Sequence, residues 1–271
     1  LIELEFRGFA YEGAGMALAL LDRLTPWNRG RLRAFLDGPG DRHAYMVHVG
    51  AGWALARHGR RVDRTLAELD PLLGWLVVDG YGFHEGYFHS DRFIDRQEPP
   101  QRLDGYARRV FDQGLGRCIW FVDGADTVRI PERIGRFEPS RRADLWSGVG
   151  LACAYAGGAD REGVESLAIA SGPYRPCVAQ GAAFAAKARQ RAGNPSDQTE
   201  LACRVLCGVP AQRAAEWTDV ALVDLTDSEA EPRFEIWRRR IQERCALEPI
   251  GASIVRSPGR AVSAVAERAL G

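Results

Sequence analysis

The sequence predicts an all-α protein of about six αα-hairpin repeats, each about 34 residues long, stacked as a solenoid-like superhelix. Three observations predict it. Gly-x-Gly pairs recur at near-regular spacing, most are followed by an apolar run, and the segments between them carry apolar residues at helical spacing among charges. The pairs are Gly13-Ala14-Gly15, Gly50-Ala51-Gly52, Gly80-Tyr81-Gly82, Gly114-Leu115-Gly116 and Gly148-Val149-Gly150. A sixth, Gly181-Ala182-Ala183, keeps only the first glycine. The first glycines lie 37, 30, 34, 34 and 33 residues apart. One such pair means little in a chain with 30 glycines, but five in near-regular order mark a repeat.

The second unit is the clearest. His43 to Ala56 is apolar on nearly all sides, which requires a helix buried all round. A turn follows at 57–61, then Leu66, Leu69, Leu72 and Leu73 sit at helical spacing among acids, an amphipathic helix with one wet face. Fully buried helices alternating with half-buried ones make a two-layer stack. Two glycines inside a helix cost about 2 kcal/mol relative to alanine, so something must offset them. Close packing of neighbouring repeats, approach of a ligand and placement at helix ends are the three candidate reasons. The alanine and proline positions of the tetratricopeptide repeat have no counterparts here, and a closed α/α toroid is the alternative arrangement.

After residue 190 the repeat decays. Asn194-Pro195-Ser196 is a helix start with Ser196 as cap, leading into Leu201, Ala202, Val205 and Leu206. Pro232 opens a helix with Phe234, Trp237, Ile241 and Cys245 on one stripe, which leaves Arg238-Arg239-Arg240 on the solvated side. The organisation expected is a repeat domain over 1–190, a helical continuation over 191–245, and a tail over 246–271 that docks as a short helix.

Thirty-six basic and thirty-six acidic residues leave no net charge, which argues against nucleic-acid binding. Lys187 is the only lysine, as expected of an arginine-coding genome rather than of a binding site. The six cysteines sit singly in apolar helical segments, as small hydrophobes do, and imply a reduced, cytoplasmic protein. No apolar stretch is long enough to span a bilayer. The chain begins at Leu1, so a preceding segment is expected.

Polar groups stand at repeat-equivalent positions beside the markers. Immediately before the first glycine come Glu12, Asp79, Gln113, Ser147 and Gln180, with Val49 the exception. One position earlier lie Tyr11, His48, Asp112 and Trp146. Stacking projects equivalent positions to one side, so they form a strip along the inner surface. A buried carboxylate there needs a partner, and a raised pKa suits acid–base work. The competing role is capping turns or bonding the next repeat's backbone. His84-Glu85, beside Tyr81 and Tyr87, is the best single cluster for proton transfer. His43/His48 and His84/His89 are each five apart, about 140° round a helix, so no metal site is expected. Glu12, His48, Asp79, His84, Glu85 and Asp112 are thus the catalytic candidates; Tyr11, Tyr45, Tyr81, Gln113, Trp146 and Gln180 are the candidate substrate contacts. Asp123 and Asp126, three apart after an apolar run, start a turn or serve a terpenoid-type cyclase. No marker reads GxGxxG after a strand, so no dinucleotide site is expected.

The segments Gly8 to Leu18, His43 to Met46 through Gly50 to Ala56, Asp79 to His84 and Ala179 to Gly181, taken in order, resemble a bacterial family of unassigned function often encoded beside enediyne polyketide synthases in actinomycetes. The likeness covers most of residues 6–245 and brings no catalytic residues with it. It implies natural-product biosynthesis and a long unsaturated carbon chain as ligand. The function expected is therefore an enzyme without an organic cofactor that folds or tailors a polyene-derived intermediate in a helical groove. A non-catalytic protein that shields such an intermediate or partners a polyketide synthase is the first alternative, and the terpenoid-type cyclase is the second.

Overall fold

The computed structural model describes residues 2–58, 62–226 and 230–247, and among these all regular structure is helical. The thirteen α-helices are α1 (Arg7–Leu24), α2 (Arg31–Leu36), α3 (Ala44–His58), α4 (Val62–Leu66), α5 (Leu76–Phe88), α6 (Gly105–Val122), α7 (Arg129–Gly135), α8 (Pro139–Ala156), α9 (Arg161–Ala170), α10 (Arg175–Ala192), α11 (Asp197–Leu206), α12 (Ala211–Val220) and α13 (Arg233–Leu247). The six marked segments are α1, α3, α5, α6, α8 and α10, and each packs on the next in chain order. Neighbouring marked helices run in the same direction: Ser147 of α8 meets Gln180 of α10 and, further along both, Tyr155 meets Arg189, while α1 meets α3 at Glu12–Gly50 and then at Arg23–Ala54.

Every marker lies inside its helix, and the glycines have one cause. A Cβ on Gly50, Gly80, Gly114, Gly148 or Gly181 would stand 1.9–2.0 Å from the carbonyl oxygen of Glu12, Val49, Asp79, Gln113 or Ser147, each on the preceding marked helix. A Cβ on Gly15, Gly52, Gly82, Gly116 or Gly150 would stand 2.0–2.5 Å from the carbonyl of Val47, Val77, Phe111, Leu145 or Val178 on the following one. First glycines therefore admit the helix before, and second glycines the helix after. Gly13 fits the same rule: among the described residues no marked helix packs on that side of α1, and nothing would lie within 4 Å of its Cβ. The backbones touch directly, as in small-residue helix crossings.

The connections differ from the full outer layer of helices that the sequence predicts. They hold only short helices, and between α5 and α6 only a π-helical turn over Asp91–Asp95. The helix expected to carry Leu66 to Leu73 ends at Leu66. Pro71 disfavours helical backbone at Asp70, and the Asp70 carboxylate takes the N–H groups of Leu72 and Leu73. Ser196 precedes α11 in extended backbone as expected, although its hydroxyl caps nothing.

α13 corrects another expectation. Arg238 is buried, whereas Arg239 is exposed and Arg240 half-buried. Arg238 lies four residues after Phe234 and three before Ile241, so it falls on the apolar stripe. There it meets Asp144 of α8 at 2.7 Å and Glu235 at 3.3 Å, while Arg109 of α6 reaches Asp144 at 3.0 Å and Glu235 at 2.9 Å. Tyr106 donates to Glu235 at 2.9 Å. This network ties the last described helix to the middle of the stack. The expected tail lies outside the described residues from residue 248 onward. All six cysteines are free and buried.

Candidate functional site

Five marked helices, α1, α3, α5, α6 and α8, surround one cavity of about 450 Å³. α8 returns to α1 across it: Tyr155 meets Phe9 edge-on at 5.6 Å, and the absence of a Cβ at Gly8 admits the Tyr155 hydroxyl. The wall repeats with the fold. Three residues after the first glycine of α1, α3, α5, α6 and α8 come Met16, Trp53, Phe83, Arg117 and Leu151, and all five line the cavity. The next turn adds Tyr87, Phe121 and Tyr155. Trp53 stacks on Phe83 at 5.6 Å, and Phe83 meets Phe121 edge-on at 5.4 Å. Tyr87, Phe88 and Phe121 are also exposed, so they form an aromatic mouth.

Two charged groups break this apolar wall, Glu12 and Arg117. Glu12 is half-buried because its side chain opens onto the cavity, yet protein packs densely round it. Burial pushes its pKa up to about 7, against the opposing pull of the Arg117 cation. The Trp53 indole N–H lies near enough to favour the carboxylate slightly, without the alignment of a full hydrogen bond. Arg117 is only 6% exposed and lies 3.0 Å from Asp79, an ion-pair distance at which its Nε–H does not point along a hydrogen bond. Its guanidinium carbon lies 4.9 Å from the centroid of the Phe83 ring.

Behind Arg117 runs a buried polar row. Gln113 donates to Asp79 at 2.7 Å, and Ser147 donates to Gln180 at 2.8 Å while lying 3.3 Å from Gln113. Gln180 also accepts from Arg238 at 3.4 Å and Gln242 at 3.3 Å. Burial raises the Asp79 pKa, with Arg117 and Gln113 opposing.

The family described as "protein of unknown function (DUF1702)" matches residues 1–245. The chain belongs to that family. No curated protein and no solved structure matches it.

In this DUF1702 chain the structure separates the candidates. Glu12 alone among them lines the cavity, with Asp79 and Gln113 standing behind it through Arg117. The residues before the glycines face the helix seams rather than the cavity. Glu12 escapes because, among the described residues, no marked helix covers that side of α1. His84 sits one layer behind the wall, accepting from Arg57 at 3.2 Å and pairing Glu85 at 3.2 Å, an arrangement that puts its proton on Nδ1. It packs on Trp53 and Phe88. His48 donates from Nδ1 to the Ala44 carbonyl at 2.7 Å and lines a separate depression with Asp70 and Arg191. Burial lowers its pKa. Asp112 is held by Arg141 at 2.5 and 2.9 Å, away from the cavity. Tyr11 stacks on His43 at 3.9 Å, Tyr81 meets Phe111 edge-on, and Tyr45 and Trp146 are buried core. Gln180 belongs to the polar row. Asp123 takes both arms of Arg133 at 2.7 and 2.8 Å, and Asp126 caps the Val128 and Arg129 N–H groups. Both acids thus have structural duties outside the cavity.

The sequence reading missed Arg117 and the aromatic wall. The available signal was the position three residues after each marker, where five large apolar residues and one arginine recur.

Proposed function

We propose that the protein binds a long, unsaturated, largely apolar small molecule in this cavity and exchanges a proton with it through Glu12. One observation carries the reading: the only carboxyl lining the cavity among the described residues has a pKa of about 7. A group poised near the working pH suits general acid–base catalysis. The volume falls in the range of roughly 300–1,000 Å³ typical of small-molecule sites, and the aromatic walls suit a conjugated chain. The reaction class is isomerisation or cyclisation, in which a proton moves between Glu12 and carbon and no oxidation level changes. A polyene-derived intermediate of natural-product biosynthesis is the ligand class that the resemblance to enediyne-associated proteins supports.

The test is incubation with the conjugated polyene released by an enediyne-type synthase, following absorbance and product mass. A new product formed by the wild type and lost in Glu12→Gln supports the enzyme. Tight binding without conversion, unchanged in Glu12→Gln, replaces it with a carrier that shelters a reactive chain or serves a synthase. Absence of binding refutes both.

A further inference from the structure

Arg117 poses a question that an all-hydrocarbon ligand leaves unanswered. A guanidinium carries five donors, and burying it without hydrogen bonds is costly. Arg117 lines the cavity, is 6% exposed, and among the described residues has Asp79 as its one ion-pair partner, without hydrogen-bond alignment. We infer that Arg117 is the recognition group for a carbonyl oxygen, so that the ligand of the proposed site is an unsaturated carbonyl compound such as an enal, an enone or a thioester. This rests on the cavity being the ligand site.

Charge counting selects a carbonyl over a carboxylate. The groups facing Arg117 are Glu12 of α1, Asp79 of α5 and the Phe83 ring, so one cation already stands between two carboxyls. An anionic ligand would set a third acidic group against that one cation in a poorly solvated pocket, whereas a neutral carbonyl accepts the N–H donors without that penalty. The proton chemistry agrees. A carboxyl that ionises near neutrality is a weak acid towards a plain alkene. Carbon beside a conjugated carbonyl is different. The Glu12 carboxylate takes a proton from the saturated carbon that ends the conjugated chain, the γ-carbon of a simple enal, as that C–H bond breaks. The electron pair passes through the conjugated chain to the oxygen held by Arg117. Return of the same proton from Glu12 to the α-carbon completes an isomerisation with no net change in atoms or electrons.

The test uses a conjugated trienal, the hydrocarbon triene of equal length and the matching trienoate, titrated into the full chain at neutral pH. The trienal is expected to bind about tenfold or more tighter than either of the others, as a hydrogen bond to a charged donor implies. Its absorption should shift to the red and its carbonyl stretch fall, because hydrogen bonding polarises the conjugated carbonyl. Both spectral shifts should vanish in Arg117→Met/Asp79→Asn, which removes cation and anion together. Equal binding of trienal and hydrocarbon, or a carbonyl stretch at its value in hydrocarbon solvent, overturns the inference and leaves the cavity reading intact. Tighter binding of the trienoate overturns it in favour of an acid site. If none of the three binds, both readings fall. The wild-type spectra decide the matter even where the double variant does not fold.

Discussion

Gly114→Ala puts the glycine rule under direct strain. The new Cβ would stand 1.9 Å from the Asp79 carbonyl oxygen and 2.9 Å from the Phe83 amide nitrogen, whereas real Cβ contacts essentially never fall below 3.0 Å. α5 and α6 must therefore part by about 1 Å, along a seam that also carries the Gln113–Asp79 hydrogen bond. Overpacking of this kind costs about 1–3 kcal/mol, and the loosened contacts add to it. Alanine returns about 1 kcal/mol of helix propensity. The expected balance is a loss of about 2 kcal/mol, or a fall in Tm of about 4–8 °C. The matched control is Gly13→Ala, whose Cβ meets nothing within 4 Å. It keeps the propensity gain of about 1 kcal/mol and should raise Tm by about 2–4 °C. Thermal and urea unfolding followed by far-ultraviolet circular dichroism measures both. If Gly114→Ala is as stable as the wild type, or both variants shift the same way, direct backbone packing is not why the glycines are there.

Three further outcomes follow. Glu12 has a folded pKa of about 7 against the ordinary carboxyl value of 4.5, so the folded chain holds its proton more tightly. Its contribution is full below pH 4.5 and is lost as pH rises through 7, so Glu12→Gln should gain on the wild type across that window. The gain is about 3–4 kcal/mol at most and is reduced by water in the cavity; a pH-independent difference in urea midpoints would remove the claim. Arg238→Met leaves Asp144 and Glu235 with only the half-exposed Arg109, and should cost about 3–5 kcal/mol in chemical denaturation, against a negligible change for Arg239→Met. Burial pushes the thiols of Cys118 and Cys153 up to about 12, and all six cysteines are buried. A thiol reagent should therefore label the native chain negligibly and all six sites after denaturation, and rapid native labelling would contradict this.

The marked helices were legible because their signal is local: glycine pairs at one spacing, each inside an apolar run. The reason for the glycines needed coordinates, since each Cβ clash involves a carbonyl 25–38 residues away. The site was harder to read. Treating the polar residues before each marker as one inner strip put Asp79, Gln113, Ser147 and Gln180 beside Glu12. Direct backbone contact places that register in the seams, and the position four residues later faces the cavity. Arg117 was hidden because a lone arginine in an arginine-rich chain looks like surface charge. Arg238 was hidden by its two arginine neighbours, although its stripe position placed it inside.

Each glycine pair works like a gear tooth, one notch taking the helix before and one the helix after. Meshing depends only on residues near the notch, so it is blind to what the chain does between teeth. That explains how spacings of 37 and 30 residues coexist in one stack: connections can lengthen, shorten or lose their helix while the teeth still engage. It also fixes the unit of change. A whole tooth can be gained or lost with its helix, but sliding one helix by a single residue would jam two notches at once, so such a chain diversifies through its connections and its cavity wall, not through helix register.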